Sequence, residues 1–327
     1  MFNCAIVIIN WNSWDYLFPC LDKVGQQTDQ DFRIIVVDNN STYQPPASLL
    51  EKYPRLTLIR NEENLGFAAA NNQAIQLAED CEWIVLLNPD TLPDTDWLGN
   101  LCKAASEHPD FSFFGSRLVM AGNPDKLDGT GDVYHMSGLS WRSGHGLPVL
   151  SVSEDVQEIF SPCAAAAMYK REELLSVGGF DEDFFCYNED VDLGFRLRLA
   201  GHRALSVPGS VVLHHGSATT SVRSDFAVYH GHRNLVWTWF KDMPMVLLWL
   251  FLPLHVLYTL ACIFLYVKRG QGKVIIRAKW DAVKGLPHML RKRKLIHSDS
   301  RISLSSLWKI INKCMIVGPG NKHKSAS

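Results

Sequence analysis

The chain has 327 residues, of which 47% are hydrophobic and 20% charged, and its formal net charge is −2. It is too apolar for a disordered chain and long enough for one large α/β domain with an appendage, or for two average domains. The small total conceals a split: residues 268–327 hold 15 Lys and Arg against 2 Asp, and everything before them is net acidic. A basic end serves nucleic acid or an anionic membrane surface; the hydrophobic segment just ahead of it favours the membrane and argues against nucleic acid. The eight cysteines, at positions 4, 20, 81, 102, 163, 186, 262 and 314, form no CxxC pair, and the opening MFNCAIVIIN lacks the basic flank of a signal peptide. Free buried thiols and a reduced, cytoplasmic setting are expected.

In chain order, short β-branched runs alternate with amphipathic ones: strand Ala5–Ile9 and helix Trp14–Val24, strand Arg33–Val37, strand Leu56–Ile59 and helix Phe67–Ala78, strand Trp83–Leu87 and helix Trp97–Ala105. Such alternation predicts βαβ units around a mostly parallel sheet buried on both faces. Ligands of such sheets sit beyond the strand carboxyl ends. Three polar clusters fall there: Asn10-Trp11-Asn12, Asp38-Asn39-Asn40-Ser41 and Asn88-Pro89-Asp90-Thr91. Residues 121–160 are rich in Gly, Ser and Asp with little periodicity and read as an irregular, mobile segment. The small residues of Pro162–Met168 would let backbone approach a ligand or a strand closely. Gly178-Gly179 is a helix stop, a helix is expected from Asp190 to Gly201, and Val211–Leu213 is a strand that delivers His214.

The chemistry concentrates in Asn188-Glu189-Asp190-Val191-Asp192. One reading is structural, with Asn188 capping a helix and the acids complementing its dipole. The other makes Asp190 a general base for a hydroxyl nucleophile, with Glu189 beside it. The helix dipole would then hold the Asp190 pKa down, leaving a weak base that suffices when the hydroxyl attacks an anomeric carbon already of oxocarbenium character. Asp90 emerges where strand Trp83–Leu87 ends and is either a turn former or a ligand for Mg²⁺ or Mn²⁺ that also touches a diphosphate. His214 is a polar strand end or a second ligand, which tilts the preference toward Mn²⁺. Asp38 is an Asx-turn residue or a contact to a base or ribose. Asn64 and Gly66 precede a helix whose N-terminus could support phosphate, and Asn71 and Asn72 within that helix face a nucleotide or lock the adjoining loop.

With these motifs in order, IVIINWNSWDYL, IIVVDNNS, NLGFAAANNQAI, WIVLLNPDT, VGGFDEDFFCYNEDVDLGFRLRLAG and HHGSATT, the chain resembles inverting family 2 glycosyltransferases with a GT-A fold. The closest branch in character is the bacterial rhamnosyltransferase-like one of cell-surface polysaccharide assembly, and the likeness covers about residues 3–240. The resemblance implies an α/β, Rossmann-like nucleotide-diphospho-sugar transferase fold with helices on both faces of the sheet. It implies that Asp38 contacts the nucleotide base, that Asp90 is the last acid of the metal motif, that Asp190 is the base of the xED motif and that His214 is the late metal ligand. Asn10, Asn12, Asn64, Gly66, Asn71 and Asn88 are then nucleotide-sugar contacts. Two departures stand out: the DxD pattern reads Asn88-Pro89-Asp90, without its first carboxylate, and Asn71 stands where the family often has arginine. The QxxRW signature of processive synthases is absent, so one sugar per encounter is expected.

Met245–Val267 is long enough to span a membrane, but Pro253 and His255 interrupt it, and a single crossing would place about +13 of tail charge outside. A re-entrant or interfacial arrangement fits better, followed by a basic amphipathic helix over Gly272–Lys294 that lies on the inner leaflet or packs on the domain. The expected division is a GT-A catalytic domain over 1–240, membrane-associating helices over 241–296 and a basic tail over 297–327. The expected activity is transfer of a sugar, L-rhamnose from a dTDP donor, to a lipid-linked saccharide at the cytoplasmic face of the membrane. Another donor (hexose, N-acetylhexosamine or galactofuranose) and a catalytically silent nucleotide-sugar-binding subunit are the competing readings.

Overall fold

The computed structural model describes residues 3–44, 49–216 and 224–314. Residues 217–220 of the HHGSATT segment and 315–327 of the basic end lie outside them. The first half contains β1 (Cys4–Asn10), α1 (Trp14–Gly25), β2 (Phe32–Asp38), α2 (Leu49–Lys52), β3 (Leu56–Arg60), α3 (Gly66–Leu77), β4 (Trp83–Leu87), β5 (Thr91–Pro93) and α4 (Trp97–Glu107). Then come β6 (Phe113–Met120), β7 (Leu127–Gly129), β8 (Asp132–Tyr134), β9 (Ser140–Arg142), β10 (Gln157–Ile159), β11 (Ala166–Lys170), α5 (Arg171–Ser176), α6 (Glu189–Leu199) and β12 (Ala204–His214). Four helices follow: α7 (Asp225–Asp242), α8 (Met245–Lys268), α9 (Gly272–Ser298) and α10 (Leu304–Ile310).

The main sheet runs β10-β12-β6-β11-β4-β1-β2-β3, with β5 on β12 and β7 on β6. The half made of β4, β1, β2 and β3 is parallel throughout, as the βαβ pattern requires. β11 enters antiparallel between β4 and β6, so the sheet as a whole is mixed. Because β6 and β12 then run the same way as β4, the carboxyl ends of β1, β2, β4 and β12 share one edge with the start of β11. Alternate β1 residues serve opposite layers: Ile6 and Ile8 pack with Leu17 and Leu21 of α1 and Trp97 and Leu101 of α4, while Ala5 and Val7 pack with Ala70 and Ala74 of α3 and Leu193 and Leu197 of α6. Each fully buried Leu in these layers contributes about 1.5–3 kcal/mol by leaving water.

Residues 121–160 are more structured than their sequence suggests, since they contribute β7 to β10 and the β8–β9 hairpin. These strands are only three residues long, too short to write a period-2 signal. α6 starts at Glu189, one residue before the expected start, and ends at Leu199, with Gly201 at φ +97° just beyond. Asn188 occupies its N-cap position but makes no capping bond; its side chain accepts from Ser140 Oγ at 2.7 Å and donates to Gly231 O at 3.2 Å.

α8 is one continuous helix through Pro253, so its midpoint shows no re-entrant break. His255 is there because it docks on the domain, 2.8 Å from Ser137 O and stacked on Trp239. The division at 240/241 falls inside α7, whose last turn carries a buried ionic network. Lys241, fully buried, pairs with Asp181 at 2.5 Å and with Asp192, while Lys292 of α9 reaches Asp181 at 2.5 Å and Asp183 at 2.6 Å. Nor is the region after 297 a free tail as far as 314: Leu307 and Ile311 are buried, and Asn312 N donates to Tyr134 O at 2.9 Å.

Candidate active site

A cavity of about 420 Å³ opens along the shared sheet edge. Asn88, Pro89 and Asp90 reach it from the end of β4, His214 from the end of β12, Cys163 to Ala165 from the approach to β11, and Glu189 and Asp190 from the start of α6. Ser140, Trp141 and Arg142 of β9 and Asp132 of β8 close one side. The β12–β5 pairing sets Asp90 beside His214: His214 lies opposite Thr91, and His215 N donates to Asp90 O at 3.0 Å.

His214 is held as a ligand-type imidazole. Its Nδ1 is 2.6 Å from Asp128 Oδ2, and its buried Nε2 sits 3.4 Å from Asp90 Oδ1. An imidazole nitrogen facing one carboxylate, with its other nitrogen anchored by a second, suits a divalent cation. Asp128 is held well below the usual carboxylate range: burial opposes this, but bonds from His145 and His214 and the charge of Arg142 outweigh it. Burial also opposes protonation of His214, yet Asp128 and Asp90 together push its pKa up.

Elsewhere in the lining the acids are crowded. Asp132, Cys163 and Asp190 bring ligand-type atoms within 4.8 Å of one another. Asp132 Oδ2 and Glu189 Oε2 are buried and have no hydrogen-bond partner among the described residues, and burial followed by the charge of Asp190 pushes both groups well up. Asp190 is oriented by backbone N–H groups, Ala164 N on Oδ2 at 3.1 Å and Val191 N on Oδ1 at 2.9 Å. Its pKa is raised, because burial outweighs those two bonds and the charge of Arg142. The expectation of a depressed, weak base is therefore overturned: desolvation beats the helix terminus here.

The backbone leading into α6 is strained. Phe185, Tyr187 and Asn188 all have φ near +65°, a conformation that costs non-glycine residues of order 1–3 kcal/mol each. Asn234 of α7 over-determines it, its Nδ2 donating to Phe184 O at 2.9 Å, Cys186 O at 2.9 Å and Tyr187 O at 2.7 Å. Gly66, at φ +83°, lets the 66–68 turn press on the same segment: a Cβ there would lie 2.5 Å from the Phe185 ring. Ala68 N donates to Phe185 O at 3.1 Å.

Of the residues singled out from sequence, Asn64, Gly66, Asn88, Asp90, Glu189, Asp190 and His214 line this cavity, and Asn10, Asn12, Asp38 and Asn71 are not among its described lining residues. Asn10 donates to Asp38 at 3.3 Å and Ser41 at 3.2 Å, Asn12 accepts from Thr42 N at 2.7 Å, and Asn71 donates to Phe67 O at 2.8 Å. Asn72 is the residue that locks the loop, bonding Phe180 through both N and O and reaching Glu182. Asn39, one position after Asp38, lines the cavity and knits it to Asn64 at 2.8 Å and Gly66 O at 3.1 Å. Asp128, Asp132, Arg142 and Asn234 were not singled out by sequence. The first three lie in the stretch read as irregular, where only the density of Asp and Gly hinted at them.

A model of Glycosyl transferase family 2 matches residues 5–172. The chain is 28% identical over 257 residues to an N-acetylglucosaminyl-diphospho-decaprenol L-rhamnosyltransferase of Mycobacterium tuberculosis, covering 69% of this chain and 80% of that protein. It is also 28% identical over 225 residues to the rhamnosyltransferase WbbL of Escherichia coli K12, covering 64% and 82%. Among solved structures, GalNAc-T7 with UDP, GalNAc and Mn²⁺ superposes with a TM-score of 0.59 at 17% identity, over 73% of this chain and about half (47%) of that one, a likeness of fold. The chain belongs to glycosyl transferase family 2, and is a glycosyltransferase of the rhamnosyltransferase-like kind with a GT-A-like fold.

Proposed function

We propose that this glycosyltransferase inverts configuration while moving one deoxysugar, L-rhamnose from dTDP-rhamnose, onto a lipid-linked saccharide. The observation that carries the reading is that one cavity is lined both by the Asp90–His214 pair and by Asp190 with Asp132 and Glu189. Asp190 has both oxygens aimed by backbone N–H groups, and burial raises its pKa, which makes it a stronger base than an exposed carboxylate. It takes the proton of the acceptor hydroxyl as the hydroxyl oxygen bonds to the anomeric carbon, and the bond from that carbon to the diphosphate breaks with its electron pair on the leaving group. Asp90 and His214 would hold Mg²⁺ or Mn²⁺, which neutralises charge on the departing diphosphate. Asp128 keeps His214 Nε2 turned toward Asp90. Glu189, beside Asp190, shares the burial that raises its pKa. Asn39, Asn64 and Gly66 form the nucleotide side, with Asn10, Asn12, Asp38 and Asn71 bracing it.

The names of two relatives, a rhamnosyltransferase for a diphospho-decaprenol substrate and a second rhamnosyltransferase, support the choice of sugar and acceptor class. The manganese and nucleotide in the GalNAc-T7 structure support the donor class and the cation. We place the enzyme at the cytoplasmic face of the membrane. α8 is long and apolar enough to cross a membrane, with a mean hydropathy of 2.2 and Trp249, Leu250, Leu257, Leu260 and Phe264 exposed. Its continuation into basic α9 favours a position in the inner-leaflet interface. The working division is a catalytic domain closed by α7, then α8 and α9, then the basic end. A panel of nucleotide sugars with Mg²⁺ or Mn²⁺ tests the donor: dTDP-rhamnose should give the largest thermal shift and slow hydrolysis. A shift with no dTDP-sugar would overturn the assignment.

A further inference from the structure

A second groove of about 420 Å³ lies beside the first, between the β8–β9 hairpin, the first half of α7 and the end of α8. Ser140, Trp141, Asn188 and Gly231 line both, so the two are neighbours through a shared partition next to the start of α6. The chemistry of the new groove differs from that of the first. Leu139, Val228, Leu235 and Tyr266 supply apolar walls, and among the described residues no Asp, Glu, Lys or Arg lines it. Its His232 is kept neutral by burial and then by the charge of Lys279, the pKa falling to about 3. Tyr266, 4.7 Å from the His232 ring, brings the groove to the end of α8 where Leu260, Phe264 and Leu265 are exposed.

We infer that this groove seats the first carbons of the apolar chain of a lipid-linked acceptor, leading from the exposed face of α8 to the hydroxyl-accepting side of the active site. The inference rests on the proposed transfer to such an acceptor and specifies where its lipid lies. A continuous apolar path from a membrane-facing helix to Asn188, one residue before the acid pair, has use for a substrate that stays anchored in the bilayer. A soluble saccharide would leave these walls wetted, and burying the chain against them recovers about 25 cal/mol for each Å² removed from water.

The test uses the full chain in detergent and a photoreactive C15 prenyl diphosphate, with labelled residues mapped by peptide mass. Labels are expected within 139–141, 227–235 and at Tyr266. Leu235→Trp, which fills the groove, should cut labelling roughly tenfold. It should raise KM for a long-chain acceptor by a similar factor while leaving hydrolysis of the nucleotide sugar by water unchanged. Should Leu235→Trp melt early, Leu139→Trp on the hairpin turn serves the same purpose. Labels confined to other surfaces, or undiminished in both variants, overturn the groove. Labelling here by a protein that hydrolyses no nucleotide sugar supports the groove and overturns the donor reading instead.

Discussion

The two walls of the active site use the same polar residue types to opposite ends. On the sheet side, Asn10, Asn12, Asp38, Asn39 and Ser41 are hydrogen-bonded to one another and to backbone, and among the described residues Asn10 Oδ1, a neutral amide oxygen, is left over. On the hairpin and α6 side, two carboxylates, Asp132 and Glu189, leave buried oxygens without a partner among the described residues, and the charge of Asp190 bears on both. A buried polar group left unsatisfied costs of order 1–3 kcal/mol, so the second wall is retained at the expense of stability. Polar density therefore does not separate scaffold from chemistry on these two walls, whereas crowded, desolvated carboxylates do.

The sharpest way to break this contrast is Asp190→Asn. It should lower transfer by about 10²- to 10⁴-fold while donor binding persists, read as acceptor-dependent turnover against a donor titration; unaltered turnover would mean the crowded wall is not the reactive one. Next in size is Asp128→Asn, which frees the His214 ring and should weaken Mn²⁺ affinity about 10- to 100-fold, measured by metal titration of activity and by metal-dependent melting. Asn234→Ala removes three bonds from the strained segment and should cost roughly 2–3 kcal/mol, visible as a lower denaturation midpoint at unchanged m-value.

The smallest effect carries the opposite sign. Burial first, then the charge of Asp190, raises the folded pKa of Asp132 above the ordinary value of about 3.9. Between those two values the folded chain binds the extra proton, so the stability of the wild type falls as pH rises through that window. Asp132→Asn should consequently melt higher than wild type, by roughly 2–4 °C for each kcal/mol relieved, with a wider gap at pH 8 than at pH 4. Equal gaps at both pH values would mean that Asp132 carries no buried charge.

The sequence made the parallel half of the fold legible because β1, β2 and β4 are continuous apolar runs that end in polar clusters, and strand order then fixes which edge those ends share. Asp90, His214 and Asp190 were legible for the same reason, each lying at an element terminus. Asp128, Asp132 and Arg142 were not, since three-residue strands have no readable period and their partners are distant in sequence. The hydrogen-bond partners of Asp38 and Asn10 were not legible for a related reason. Their position at the edge was plain, but whether a side chain turns to solvent or to a neighbour depends on Ser41 and on the 61–66 loop, which no local pattern encodes. The position of Asp190 at the start of α6 could be read from sequence and the direction of its proton affinity could not, because burial is a property of the assembled fold.

The network around Lys241 has a practical consequence for anyone dissecting the molecule. A cut at the apparent seam near residue 240 would strip the ammonium groups of Lys241 and Lys292 from Asp181 and that of Lys241 from Asp192, leaving buried Asp181 without its two cations and Asp192 with Arg196 alone. The hydrophobic appendage is thus no detachable anchor: α9 supplies, through Lys292, a counterion to Asp181 and Asp183 in the segment before α6, so shortening the chain alters the catalytic domain's own charge balance along with any membrane contact.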